Sequence, residues 1–176
     1  MYGATSQSET PPTLQRLQGS ARVGFSGTRL TELYQANPCR VMLPRSPGGG
    51  GEAGLLNTAG GITDGDCLNY SISAAAGAQV TATTQAAEKV YRSRGADSQV
   101  QCHLMLTDGA FLEWLPQETI LFDGGALGRQ TCIEMDGDSR LLALDWLLFG
   151  RLASGERLHS PRVRDRGRLR RDGRLI

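Results

Sequence analysis

Val100-Gln-Cys-His-Leu-Met-Leu-Thr-Asp-Gly-Ala-Phe-Leu-Glu-Trp-Leu115 writes out a strand, a turn and a second strand. Val100, Cys102, Leu104 and Leu106 share one face of a period-2 strand, and His103 falls on the opposite, solvated face. Asp108-Gly109-Ala110 supplies the turn. Beyond it, Leu112 and Trp114 alternate with Glu113 and Leu115, so Glu113 points away from the indole. Pro116 cannot donate to a ladder and either ends this strand or sits at a sheet edge.

The same unit recurs on both sides. Leu68–Ala74, a turn at Gly77-Ala78 and Val80–Thr84 precede it; Gln130–Met135, a turn at Asp136-Gly137-Asp138 and Leu141–Phe149 follow. The turn glycines at 77, 109 and 137 are 32 and 28 residues apart. A period of that size marks stacked supersecondary units, none of which can bury its apolar face alone. The fold class expected is therefore mainly β, with stacked strand-turn-strand units in a β-helix-like array and one or two short helices. The helical exception is Gln85-Ala-Ala-Glu-Lys-Val-Tyr91, built of good helix formers.

Further out the pattern loosens. In Leu14–Tyr34, Ala21, Val23 and Phe25 alternate, Ser26-Gly27 turns, and Leu30 and Leu33 resume. Residues 44–54, with four consecutive glycines, read as an exposed flexible loop, and no Gly-Lys-Ser/Thr opens a helix after them. Asn57-Thr-Ala-Gly-Gly-Ile-Thr-Asp-Gly-Asp66 is a tight turn. It either presents Asp64 and Asp66 to a ligand or simply bends the chain between strands. Residues 1–13 read as a disordered N-terminus and 14–176 as a single β-rich domain. Arg162–Ile176 reads as a strand, an Asp172-Gly173 hairpin turn and the start of another strand.

Composition narrows the classes. Twenty-three glycines in 176 residues suit turn-rich β structure, and no apolar run is long enough to span a membrane. The first thirteen residues lack a basic start and an apolar core, which argues against a secretory leader. Cys39, Cys67, Cys102 and Cys132 are far apart, the pattern of reduced cytosolic thiols; Cys102 and Cys132 fall on strands as small apolar fillers. With His103 and His159 the only histidines, the local sequence closes no tetrahedral metal site. The net charge of +1 hides an asymmetry, since residues 151–176 carry nine arginines against three acids and the body before them is acidic. Lys89 is the single lysine, a compact hydrated charge in a chain that otherwise uses arginine.

Asp66, Glu88, Glu113, Glu118 and Asp123 form the candidate set of functional carboxylates. Such acids can do paired acid/base work on a sugar polymer or hand a borderline cation from site to site. The arginine-rich tail opens a third class, nucleic-acid binding. The absence of aromatics between its arginines argues against that class, because no stacking platform is present.

Four ordered blocks, Asn57–Asp66, Thr83-Thr-Gln-Ala-Ala-Glu-Lys-Val-Tyr-Arg-Ser93, Leu112-Glu-Trp-Leu-Pro-Gln-Glu-Thr-Ile-Leu-Phe-Asp123 and Phe149-Gly-Arg-Leu-Ala-Ser-Gly-Glu156, resemble the UreD family, called UreH in some bacteria. The resemblance implies a non-enzymatic urease accessory protein with a helical stack of strands. It further implies binding to apo-urease and to the UreF and UreG partners in the cytoplasm. No cofactor would be tightly bound; nickel would be in transit along Asp66, Glu88, Glu113, Glu118 and Asp123. Two departures stand out: Asp64 occupies a position where the family usually has glycine, and the sequence stops where members continue for about another third of a chain.

Overall fold

A computed structural model describes residues 15–45 and 49–176. The expected disorder over residues 1–13 and the middle of the expected 44–54 loop lie outside those residues. The chain winds as a parallel β-helix with three walls. It enters through β1 (Gln18–Ser26), hairpins into β2 (Arg29–Ala36), and continues through β3 (Cys39–Met42) and β4 (Gly51–Asn57). Three coils follow, each laying one strand on each wall: β5 (Cys67–Ala75), β6 (Gln79–Thr84) and β7 (Glu88–Val90); β8 (Ser98–Leu106), β9 (Phe111–Trp114) and β10 (Thr119–Leu121); then β11 (Ala126–Met135), β12 (Arg140–Ala143) and β13 (Leu147–Phe149). After one turn of 3₁₀ helix at Leu152–Ser154, β14 (Arg162–Arg171) returns to the first wall and turns into β15 (Arg174–Leu175).

The walls are thus a seven-stranded sheet in the order β15-β14-β11-β8-β5-β1-β2, a five-stranded sheet β12-β9-β6-β4-β3 and a three-stranded sheet β13-β10-β7. Every coil-to-coil pairing is parallel, with Ile72 beside Leu104 and Leu104 beside Ile133. That register stacks aliphatic side chains in columns, and Leu68, Ile72, Leu104, Leu106, Leu112, Leu121 and Leu127 are fully buried in one core. The stacked strand-turn-strand reading describes this body, and so does the alternation in the 100–115 stretch: Cys102, Leu104 and Leu106 point in, His103 out. Ala76-Gly77 and Asp108-Gly109 make the first-to-second-wall corners with four left-handed residues, and Gly77 N–H donates to Asp108 C=O at 2.8 Å, so the corners stack as the strands do.

Three local readings are corrected. Gln85–Tyr91 is not helical, because Ala86 adopts a left-handed φ of 63° and Glu88–Val90 pairs in parallel with Thr119–Leu121. Ladder hydrogen bonds across coils outweigh a few tenths of a kcal/mol per residue of helix preference. The glycine run ends inside a strand, since β4 starts at Gly51, where the Phe25 ring leaves no room for a Cβ. Cys132 is no core filler; it lies on the outer side of the first wall, where Gln130 Nε2 donates to its sulfur at 3.2 Å. No helix among the described residues is long and apolar enough to cross a membrane.

Candidate functional site: an interior cavity closed by an ionic triad

The Asn57–Asp66 turn proves to be a clasp. Asp66 accepts from Leu17 N–H and Thr63 N–H, both at 2.9 Å, one on each carboxylate oxygen. Asp64 adopts φ 21° and accepts from Ser93 Oγ and the backbone N–H groups of Arg94 and Gly95. The Ser93 hydroxyl and those N–H groups hold its carboxyl below the usual carboxylate range. An aspartate at the position expected for glycine therefore keeps the positive φ and uses its side chain to tie one coil turn to the next.

Inside the coils lies a cavity of about 140 Å³. The period-2 strands that bury leucines also carry Tyr70, Cys102 and Arg129 inward, because each occupies the same register parity as its apolar neighbours. Glu88 lines one side, with Asn57 Nδ2 donating to both of its oxygens at 3.1 Å and its own chain neighbour Lys89 N–H donating at 3.1 Å. Burial pushes the Glu88 carboxyl up, against the pull of Asn57 and Lys89. Burial likewise raises the Tyr70 phenol and the Cys39 thiol bonded to it, and pushes Cys102 up to about 12. Both thiols are therefore protonated at neutral pH and poor metal ligands.

The opposite side is ionic. The Arg129 guanidinium, only 10% exposed, pairs with Asp145 at 2.8 Å and bidentately with Asp165, and its Nη1 donates to Thr119 Oγ1 at 3.3 Å. Burial disfavours the Arg129 charge, but the two carboxylates outweigh it and hold its pKa above the ordinary value. Burial raises Asp145, opposed by Arg129 and reinforced by Asp165. Two carboxylates around one guanidinium leave the triad with a formal charge of −1.

Asp145 lines the cavity and also, with Trp114, Ile133, Asp165 and Gly167, a surface groove of about 390 Å³. The triad thus stands between interior and groove. At the corner between the second and third walls, Thr84, Gln85, Ala86 and Gln117 line both the cavity and a second groove of about 320 Å³. The lining joins aliphatic and aromatic side chains to Glu88 in the first of the three coils and to the Arg129–Asp145 pair in the third.

Of the five carboxylates singled out from sequence, Glu88 lines this cavity and the other four do not. Asp66 is committed to its clasp. Glu113 points outward on the second wall, accepting from Thr81 Oγ1 at 2.7 Å, as the inward Trp114 requires. Glu118 is half-buried at the corner between second and third walls, where its C=O accepts from Glu88 N–H at 3.0 Å. Asp123 gathers the backbone N–H of His159 and Ser160 and the Arg92 guanidinium, contacts that hold its carboxyl low. Among the described residues, no three His, Cys, Asp or Glu side chains converge as a metal-holding group. Sequence reasoning missed Arg129, Asp145 and Tyr70. Tyr70 and Arg129 were marked by a polar residue at an inward parity, Tyr70 between Leu68 and Ile72 and Arg129 two residues after Leu127; Asp145, at a corner outside the strands, was marked only as the one acid within Leu141–Phe149.

Glu88 should make stability pH-dependent. Its carboxyl titrates higher folded than unfolded, so its contribution is fully present below the unfolded value near 4.5 and is lost as pH rises through the raised folded value. Glu88→Gln should therefore match the wild type in urea melts at acid pH and exceed it above neutrality. Equal midpoints at both pH values would mean that Glu88 is not desolvated.

The family description "UreD urease accessory protein" matches residues 17–176. A urease accessory protein UreD of Dinoroseobacter shibae is 48% identical over 94% of this chain, that of Magnetococcus marinus 46% over 98%, and that of Chelativorans sp. 41% over 100%. The alignments cover 60%, 61% and 65% of those relatives, so the chain spans a little under two thirds of their length.

Proposed function

Since the chain belongs to the UreD family of urease accessory proteins, we propose that it serves urease maturation as a non-enzymatic scaffold whose interior passes nickel toward apo-urease. The observation that carries the reading is the cavity bounded by Glu88 and the Arg129–Asp145–Asp165 triad, with two surface grooves that share its lining residues. Nickel is cargo here, and the chemistry of the lining suits transit. Carboxylate and water ligands hold Ni²⁺ less tightly than imidazole and thiolate cages, and burial keeps the two thiols nearby protonated.

Ni²⁺ entering at the Thr84–Gln117 corner meets the Glu88 carboxyl, held by Asn57 and the Lys89 N–H. The ion then reaches Asp145, where it competes with Arg129 for the carboxylate. Displacement of the guanidinium opens the bar to the groove beyond, and return of the guanidinium behind the ion resets it. Asp66, Glu113, Glu118 and Asp123 serve this route indirectly, by fixing the turns and walls that shape it. Apo-urease and the UreF and UreG proteins are the partners this reading requires, in a cytoplasmic setting that keeps the cysteines reduced.

The test is urease activation with this chain as the accessory protein, at limiting and at excess nickel. Glu88→Gln and Asp145→Asn should each lower activation several-fold at limiting nickel and recover at excess, while co-purification with apo-urease is unchanged. Full activation by both variants at limiting nickel would remove the conduit and leave a scaffold only.

A further inference from the structure

Strand β14 carries a feature that the interior does not use. Arg162, Arg164, Arg166, Arg168 and Arg170 all occupy one parity, while Val163, Asp165, Gly167 and Leu169 occupy the other. Asp165 reaches the inward-facing Arg129 and Leu169 packs against the core, so the five arginines project from the outer side of the first wall. The two ends of this row are neutralised: Arg162 pairs with Asp97 at 3.0 Å and Arg170 with Glu134 at 3.8 Å. Arg164, Arg166 and Arg168 make no ion pair among the described residues and are exposed. Their neighbours across the ladder are Gly128, Gln130 and Cys132, and beyond those Gln99, Gln101 and His103, two rows without an acid.

The fold does not call for this row. An outer strand position needs only a polar or β-branched side chain, and like charges about 6.6 Å apart along a strand repel. We propose that the outer face of β14 is a docking surface for an extended acidic segment of a partner protein, with Arg164, Arg166 and Arg168 each taking a carboxylate at alternate positions of that segment. The match is geometric as well as electrostatic. An extended peptide repeats its side chains on one face every two residues, at the same spacing as the arginines, and each guanidinium can hold a carboxylate with two parallel hydrogen bonds. A single-stranded nucleic acid is the less favoured occupant, because no Phe, Tyr or Trp stands in these rows to stack a base. The surface looks outward from the wall and is independent of the interior passage.

The experiment is fluorescence anisotropy of a labelled nonapeptide with glutamate at every second position and serine between, titrated with the whole chain at low salt. Wild type should bind, with affinity falling as salt rises. R164Q/R166Q/R168Q should bind about tenfold or more weakly, the loss expected of three exposed ion pairs. R29Q/R94Q/R157Q, which removes the same charge from exposed arginines elsewhere, should bind within about twofold of wild type. Far-UV circular dichroism identical to wild type confirms that both variants fold. The proposal is overturned by no binding to wild type, by equal binding to the triple β14 variant, or by an equal loss in the control variant, which would reduce the effect to net charge. Tighter binding of an oligothymidylate of the same charge would overturn the protein partner in favour of nucleic acid.

Discussion

Arg129→Met should lower stability by about 2–3 kcal/mol, a fall in Tm on the order of 5–10 °C. The substitution keeps most of the side-chain volume but leaves Asp145 and Asp165 facing each other at the edge of the cavity. Removing one member of a buried ionic group costs about 3–5 kcal/mol; both carboxylates retain roughly a third of their exposure, 38% and 32%, so water recovers part of that cost. The penalty should shrink at acid pH as Asp145, raised by burial, loses its charge. Asn at both partners should rescue it, because the triple variant R129M/D145N/D165N holds no unpaired charge. Guanidinium melts of the single and triple variants decide the matter: an Arg129→Met midpoint equal to wild type would show that the triad is a surface pairing. The same variant should expose the Cys102 thiol, which lines the cavity and is buried in the wild type, to a maleimide. That readout separates an opened bar from a merely weakened fold when both are measured far below the melting temperature.

Leu104→Ala should cost more still, about 3–4 kcal/mol. Leu104 sits at the middle of the central coil, with Ile72 below it and Ile133 above, and is 1% exposed. Truncation leaves a void that two rigid flanking coils cannot close, so both the lost transfer energy and the cavity cost are felt. Met105 is the internal control. One residue along the same strand, it faces solvent at 52% exposure, and Met105→Ala should stay within about 0.5 kcal/mol of wild type. Comparable losses at the two positions would mean that the inward and outward faces of the first wall are assigned wrongly.

The first wall and the corners were readable because their strands run nine or ten residues, long enough for alternation to show despite exceptions such as Met105 and Arg129, and end in Gly-bearing turns, as in Val100–Leu106. The third wall was not. Glu88–Val90, Thr119–Leu121 and Leu147–Phe149 are three residues each, too short to show a period, and each is a strand only because its neighbour one coil away pairs with it. The helix assigned to Gln85–Tyr91 failed for the same reason: its composition speaks for isolated peptide behaviour, whereas the coil above and below sets its conformation. Among the carboxylates, Glu88 was placed only as one of five by the family-like blocks, with no pattern of its own to set it apart from Asp66, Glu113, Glu118 and Asp123. The cavity itself could not, because it is assembled by register. Tyr70 and Cys102 come together as direct ladder partners, and Arg129 meets Asp165 one coil on through a pairing 36 residues apart. Asp66 and Asp64 look like ligand-facing acids in a glycine-rich turn until their backbone donors, which lie up to 49 residues away, are in place.

Parallel winding makes height in the body proportional to place in the chain. In the proposed conduit, a solute moving along the axis would meet Asn57 and Glu88 first, then Thr119 and Arg129, then Asp145, in the order the ribosome adds them. Duplicating one complete turn at a corner would lengthen that itinerary by a single rung of about 4.8 Å. It would leave the chemistry at either terminus of the route untouched, so in this architecture path length and end-group chemistry are separately adjustable.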